Sequence, residues 1–190
     1  MKIILVRHGQ TDENLLKTYS TKSAQLTEEG RNQIKRLKPF IETLNFDKVY
    51  ISPLDRTRDT ASILGVEGKI EKRIQEVDFG DFEGKTYEEL EEMYPKEVKL
   101  WNEDIINYIT PEGESLKLAY DRVSSFLEEL IEKDEDVLLV CHAGVIRLTL
   151  CWVFDNVDYF FKFRIANGSA NIINVDKEGF KYIEKISYAL

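Results

Sequence analysis

The sequence predicts an α/β fold: a three-layer sandwich with a mostly parallel central sheet and helices on both faces. Two observations predict it. Short runs rich in β-branched and apolar residues, Lys2 to Val6, Lys48 to Ile51 and Val137 to Cys141, alternate with stretches of helical period. Such alternation is the pattern of layered α/β proteins. The chain also has 190 residues, 43% of them hydrophobic, enough for one domain over residues 1–190 with a real core.

The elements follow in order. After the first strand, Ile34, Leu37, Ile41 and Leu44 recur at three- and four-residue steps behind Thr27, a candidate N-cap, as an amphipathic helix requires. Ser52-Pro53 reads as the opening of the next helix, serine as cap and proline at its first position. Thr86 with Glu89 forms a capping-box pattern that starts a helical stretch through Trp101, interrupted at Pro95. That stretch is expected to form a helical flap, about residues 85–112. From Ser115, Leu116, Tyr120, Val123, Leu127 and Leu130 keep a helical period up to the strand ending beside His142. Asn171 to Val175 and Phe180 to Ile186 read as a closing hairpin.

Charge narrows the function. With 35 acidic against 26 basic residues the net charge is -9, which argues against a nucleic-acid partner or an anionic membrane surface. An anionic ligand must then be met by a local basic pocket. The apolar run at the N-terminus is too short for a signal peptide or a membrane span. Two cysteines, Cys141 and Cys151, make no disulfide framework, so a reduced, cytoplasmic protein is expected. No Cys/His cluster has zinc-ligand spacing, and neither a metal nor another cofactor is expected. The aromatic stretch from Cys151 to Phe154 and from Tyr159 to Phe161 packs in the core or makes a homodimer contact.

Both histidines of the chain, His8 and His142, fall just beyond predicted strands, each followed closely by glycine. Open α/β sheets bind ligands beyond the carboxyl ends of their strands. Arg7 and Arg56 occupy similar strand-end positions, and arginine's planar fork matches phosphate oxygens. Arg58 reads as an exposed helix residue. Glu76 begins a loop dense in carboxylates and aromatics. A carboxyl partly buried there by Phe79 or Phe82 would hold its proton near neutral pH and act as a general acid. Asp78, Asp81 and Glu83 compete for the same role.

Together these pieces resemble the histidine phosphatase superfamily, which includes the cofactor-dependent phosphoglycerate mutases. The resemblance takes in the segment Leu5 to Asn14, Leu26-Thr-Glu-Glu-Gly30, Ser52-Pro-Leu-Asp-Arg56, Glu76 with Gly80 and Gly84, Pro111-Glu-Gly-Glu-Ser115, and Val140-Cys-His-Ala-Gly144. It implies that His8 attacks phosphorus and that Arg7, Arg56 and His142 bind the phosphoryl group. Asn14 would help hold its oxygens, and Glu76 would protonate the leaving oxygen. Glu76, once ionised, would draw a proton from the water that attacks phosphohistidine. The implied partner is a small-molecule phosphate ester. Phosphoryl transfer suits such a site because the protein's work is positioning and charge stabilisation.

Cys141 to Arg147 also fits the Cys-x5-Arg pattern of cysteine phosphatases. That pattern leaves Arg7, His8 and Arg56 unexplained, and it is set aside. A decayed, non-catalytic binding module would be expected to have lost His8, an arginine or the acid. Mutase activity shares the phosphohistidine, but the short chain is more like the phosphatase members. Its length, the Pro111 to Ser115 segment and the Phe79 to Gly84 loop resemble alpha-ribazole phosphatases of cobalamin biosynthesis. Phosphoserine phosphatases and broad-specificity metabolite phosphatases fit as well. Tyr87, Tyr94, Trp101 and Tyr108 are candidates for the leaving-group side, with packing inside the flap as their alternative.

Overall fold

The computed structural model describes all 190 residues. Strands β1 (Lys2–Arg7), β2 (Lys48–Ile51), β3 (Lys69–Ile70), β4 (Val137–Cys141), β5 (Ala170–Val175) and β6 (Lys181–Tyr188) form one sheet in the order β3-β2-β4-β1-β5-β6. The first four run parallel, and the closing hairpin adds β5 and β6 antiparallel. β3 is a pair of exposed residues, too short to carry a strand pattern in the sequence.

The helices are α1 (Asp12–Leu16), α2 (Glu28–Glu42), α3 (Asp55–Leu64), α4 (Tyr87–Met93), α5 (Pro95–Glu103), α6 (Leu116–Lys133) and α7 (Ala143–Val153). Alternate residues of the central strands face opposite layers. Ile4, Val6, Leu138 and Val140 pack with Ile34, Leu37, Ile41, Ala61 and Leu64 of α2 and α3. Ile3, Leu5, Val137 and Leu139 pack with Val123, Leu127 and Leu130 of α6 and with Val145, Leu148 and Trp152 of α7. Burial on both faces is why these strands are continuously apolar rather than alternating. The expected three layers are present.

Local signals set most helix ends. Thr27 accepts from the Gly30 N–H, Ser115 accepts from the Leu118 N–H, and Thr86 with Glu89 completes a reciprocal capping box. Tyr94 breaks the flap helix, and Pro95 sits at the first position of α5. The Ser52-Pro53 reading is corrected: α3 begins at Asp55 behind Leu54, with no side-chain cap. The Ser52 hydroxyl bonds elsewhere.

A third, smaller core lies under the flap, where Phe82, Leu90, Val98 and Trp101 are buried together with Tyr19, Phe79, Tyr87, Tyr94, Ile105 and Tyr108 against them. The late aromatic stretch divides: Cys151, Trp152 and Phe160 are buried, whereas Phe154, Tyr159 and Phe161 are exposed. No helix is long and apolar enough to cross a membrane.

Candidate active site

Sheet register brings the two histidines together. In the β1–β4 pair Arg7 lies opposite Cys141, so His8 and His142 each leave their strand one residue later, side by side. Their ring centroids are 5.2 Å apart at an interplanar angle of 62°. Both are buried. Ile51 pairs with Val140, which places Ser52 at the next strand end, where its Oγ lies 2.6 Å from His142 Nε2.

His8 Nδ1 lies 2.7 Å from the Gly9 carbonyl oxygen, an acceptor, so Nδ1 carries the proton and Nε2 keeps its lone pair. Burial, then the charges of Arg56 and Arg7, push the His8 pKa well below its ordinary 6.5. The ring is therefore neutral at pH 7. Gly9 itself is required by close approach: a Cβ there would stand 2.2 Å from the Gly30 carbonyl oxygen at the start of α2.

Arg7 and Arg56 converge on the same floor. Arg56 is 0% exposed and donates from Nη1 to the Thr21 carbonyl at 2.8 Å, while its Nε has no partner. Arg7 donates to the Ile165 carbonyl, and its Nε is likewise unpartnered. Neither forms a salt bridge with any carboxylate. Burial brings the Arg7 pKa down to about 10 and lowers that of Arg56, yet both keep their charge at neutral pH. Two buried cations without carboxylate partners make a hollow suited to an anion, inside a protein of net charge -9.

Glu76 stands beside this floor. Its carboxylate accepts from the Val77 N–H at 3.0 Å and from the Gly144 N–H, in the first turn of α7, at 3.3 Å. Gly144 leaves room for it, since a Cβ there would meet Glu76 Oε1 at 2.2 Å. The loop is clamped from behind. Arg122 holds Glu114 through Nε (3.0 Å) and Nη2 (2.6 Å), and donates to the Arg73 carbonyl at 2.7 Å and the Glu76 carbonyl at 3.1 Å. Glu114 in turn accepts from the Asp78 N–H at 3.0 Å, which gives the Pro111 to Ser115 segment its purpose. Of the competing carboxylates, Asp78 is paired with Lys22 at 2.8 Å and Asp81 is exposed. Glu83 has a pKa raised by burial, but it lines only a smaller pocket shared with Lys22, Arg56, Glu76 and Asp78, whereas Glu76 also lines the larger cavity.

Asn14, the third residue of α1, spends its carbonyl oxygen on the Thr11 N–H (3.1 Å) and on Asn167 Nδ2 (2.7 Å), which leaves its NH2 as the free end. Above Glu76 opens a cavity of about 450 Å³ walled by Tyr19, Phe79, Tyr87, Trp101, Phe160 and Phe161. Of the four flap aromatics expected on this side, Tyr87 and Trp101 line it. Tyr94 packs on Phe82 instead, and Tyr108 packs against the flap core. Arg147 also reaches the cavity, lies over the Phe160 ring at 5.5 Å, and has an unpartnered buried Nε. Cys141 is fully buried in β4, and desolvation pushes its thiol far above the ordinary range, so it offers no thiolate. Arg58 is exposed, as read from the sequence.

The histidine phosphatase superfamily (branch 1) matches residues 3–186. This chain belongs to that superfamily. Among curated relatives, the 6-phosphofructo-2-kinase/fructose-2,6-bisphosphatase of Gallus gallus is 37% identical over 155 residues, 80% of this chain and 33% of that protein. The chain thus spans about a third of the length of that bifunctional relative. Phosphoserine phosphatase 1 of Hydrogenobacter thermophilus is 31% identical over 185 residues, 93% of this chain and 88% of the relative. Among solved structures, the alpha-ribazole phosphatase of Shigella flexneri superposes with a TM-score of 0.91 at 26% identity, covering 99% of this chain and 96% of the other. The histidine phosphatase fold expected from the sequence is the one observed.

Ser52, Gly144, Arg122 and Arg147 were missed as site residues by sequence reasoning. Gly144 and Ser52 stood inside quoted motifs, but the partners that give them roles, Glu76 and His142, are far away in the chain.

Proposed function

We propose that this protein is a phosphomonoesterase that works through a phosphohistidine on His8. One observation carries the reading: a neutral His8 with a free Nε2 lies beside two buried arginines that form no salt bridge. Nε2 attacks phosphorus, the N–P bond forms as the ester P–O bond breaks, and Glu76 gives its proton to the leaving oxygen. Water then attacks the phosphohistidine. Glu76 takes one of its protons, the N–P bond breaks, and phosphate leaves with His8 restored. Arg7, Arg56, His142 and the Asn14 NH2 hold the phosphoryl oxygens throughout, supplying the charge stabilisation that this transfer needs.

The substrate reading is alpha-ribazole 5'-phosphate, a small ester with a ring-bearing leaving group, used in cobalamin biosynthesis by a cytoplasmic enzyme. Support comes from the aromatic cavity beside Glu76 and from the likeness to the alpha-ribazole phosphatase of Shigella flexneri. A second reading, a phosphoserine or broader metabolite phosphatase, is favoured by the Hydrogenobacter thermophilus relative and by Arg147, a cation placed to meet a carboxylate on the leaving group. Steady-state turnover of alpha-ribazole 5'-phosphate, phosphoserine and fructose 2,6-bisphosphate separates the readings. The first predicts the highest kcat/KM for alpha-ribazole phosphate; a higher value for phosphoserine would replace it with the second.

A further inference from the structure

The hydrogen bond between Ser52 and His142 joins two strand ends 90 residues apart in sequence, at 2.6 Å, with both side chains 0% exposed. We propose that Ser52 is a positioning residue that fixes the tautomer of His142, donating its hydroxyl to Nε2 so that the imidazole proton sits on Nδ1 and faces the bound phosphoryl group as a donor.

Two arrangements of the pair are possible; each leaves one buried hydrogen without a protein acceptor, and a bound phosphoryl group separates them. If His142 Nε2–H donated to Ser52, the serine hydroxyl hydrogen would need an acceptor of its own, and Ser52 Oγ has no other partner. His142 Nδ1, buried without a protein partner, would then carry a bare lone pair. With Ser52 as donor, the hydroxyl is satisfied and Nδ1–H becomes the free donor beside His8, Arg7 and Arg56. A lone pair repels phosphoryl oxygens and an N–H attracts them, so only the second arrangement suits a phosphoryl group bound between the arginines.

The titratable neighbours act in the same direction. Burial, then Arg56, His8, Arg7 and Arg122, push the His142 pKa well below 6.5, so the ring stays neutral and its single proton has to be placed by a hydrogen bond. Gly9 does this for His8 through an acceptor, and Ser52 does it for His142 through a donor. The two rings therefore present opposite faces to phosphorus, one a lone pair and the other an N–H.

The inference rests on the phosphohistidine reading for its catalytic meaning, but the tautomer is measurable without it. The chain has only two histidines, so long-range 1H–15N spectra of 15N-histidine protein at pH 7, assigned with His8→Gln, resolve both rings. The expected result is a protonated Nδ1 on His142 in the wild type and loss of that preference in Ser52→Ala. Turnover of Ser52→Ala should fall by about 10- to 100-fold, the range seen when hydrogen bonds orienting metal-bound histidines are removed, with vanadate binding weakened in parallel. A protonated Nε2 on His142 in the wild type would overturn the proposal, whether or not Ser52→Ala folds. So would a Ser52→Ala protein with unchanged tautomer and turnover. Turnover that survives in His8→Ala would instead sink the phosphohistidine reading and leave the tautomer result standing.

Discussion

The floor of the site and its wall are built in opposite ways. On the floor, His8, His142, Arg56 and Ser52 come from three neighbouring strand ends and the helix after β2, and all four are buried. The wall is drawn from the loop holding Tyr19, the flap and the segment after α7, and Phe161 in it remains 54% exposed. Register fixes the floor because a slip of one residue would turn its side chains to the other face of the sheet. The wall rests on a satellite core with four buried residues. The proposed function would thereby place chemistry on the rigid element and substrate choice on the element that tolerates change.

Substitutions on the floor should cost most. Arg56→Met should lower kcat/KM by roughly 10²- to 10³-fold, as loss of a charge-stabilising donor does. The thermal midpoint should hold or rise, because the variant removes a buried cation that has no salt-bridge partner. Kinetics with differential scanning fluorimetry tests both, and a stability loss matching the activity loss would make Arg56 a structural residue.

Gly144→Ala probes the junction of floor and wall. Its new methyl must displace the Glu76 carboxylate, so turnover of an alkyl phosphate should drop by about 10²-fold, the size of a general-acid contribution. An activated phenyl phosphate, whose leaving oxygen needs little protonation, should suffer less. Equal losses on both esters would remove Glu76 from the acid role.

On the wall the effect should be smaller and selective. Phe161→Ala should raise KM for a ring-bearing substrate by roughly 3- to 10-fold, the worth of one aromatic contact, and leave para-nitrophenyl phosphate turnover and the melting point nearly unchanged. A fall in kcat on every substrate would mean that the wall is part of the chemistry.

The floor should also leave a weak trace in pH-dependent stability. His8 and His142 are buried neutral with folded pKa values below 6.5, so at lower pH the unfolded chain binds more protons than the folded one. Their contribution is complete above about pH 6.5 and is lost as pH falls from there through the folded values. Chemical denaturation of wild type and His142→Asn at pH 7.5 and 5.5 checks this, with the variant expected to lose less stability on acidification.

The same contrast explains what the sequence disclosed. His8 and His142 were legible because apolar runs ending in a polar residue mark strand ends, and in layered α/β folds strand ends mark sites. Thr27, Thr86 and Ser115 were legible as caps because their partners lie three residues away. Ser52 looked the same locally and was misread, since its partner arrives from β4 across the sheet. Gly144 and Arg147 belong to this second kind, defined by Glu76 and by the cavity rather than by their neighbours in the chain. The Cys141 to Arg147 pattern gave a false signal for the same reason: spacing carries no information on burial, and burial disables that thiol. The flap aromatics were half legible, because composition marks an aromatic segment but not which rings turn outward.

The most direct test of the account follows phenolate release from para-nitrophenyl phosphate in excess EDTA for the wild type, His8→Ala and Cys141→Ala. Phosphohistidine chemistry predicts that the wild type and Cys141→Ala turn over and that His8→Ala loses roughly 10⁴-fold or more, as enzymes do without their nucleophile. Turnover that survives in His8→Ala, or that disappears with Cys141, would contradict it.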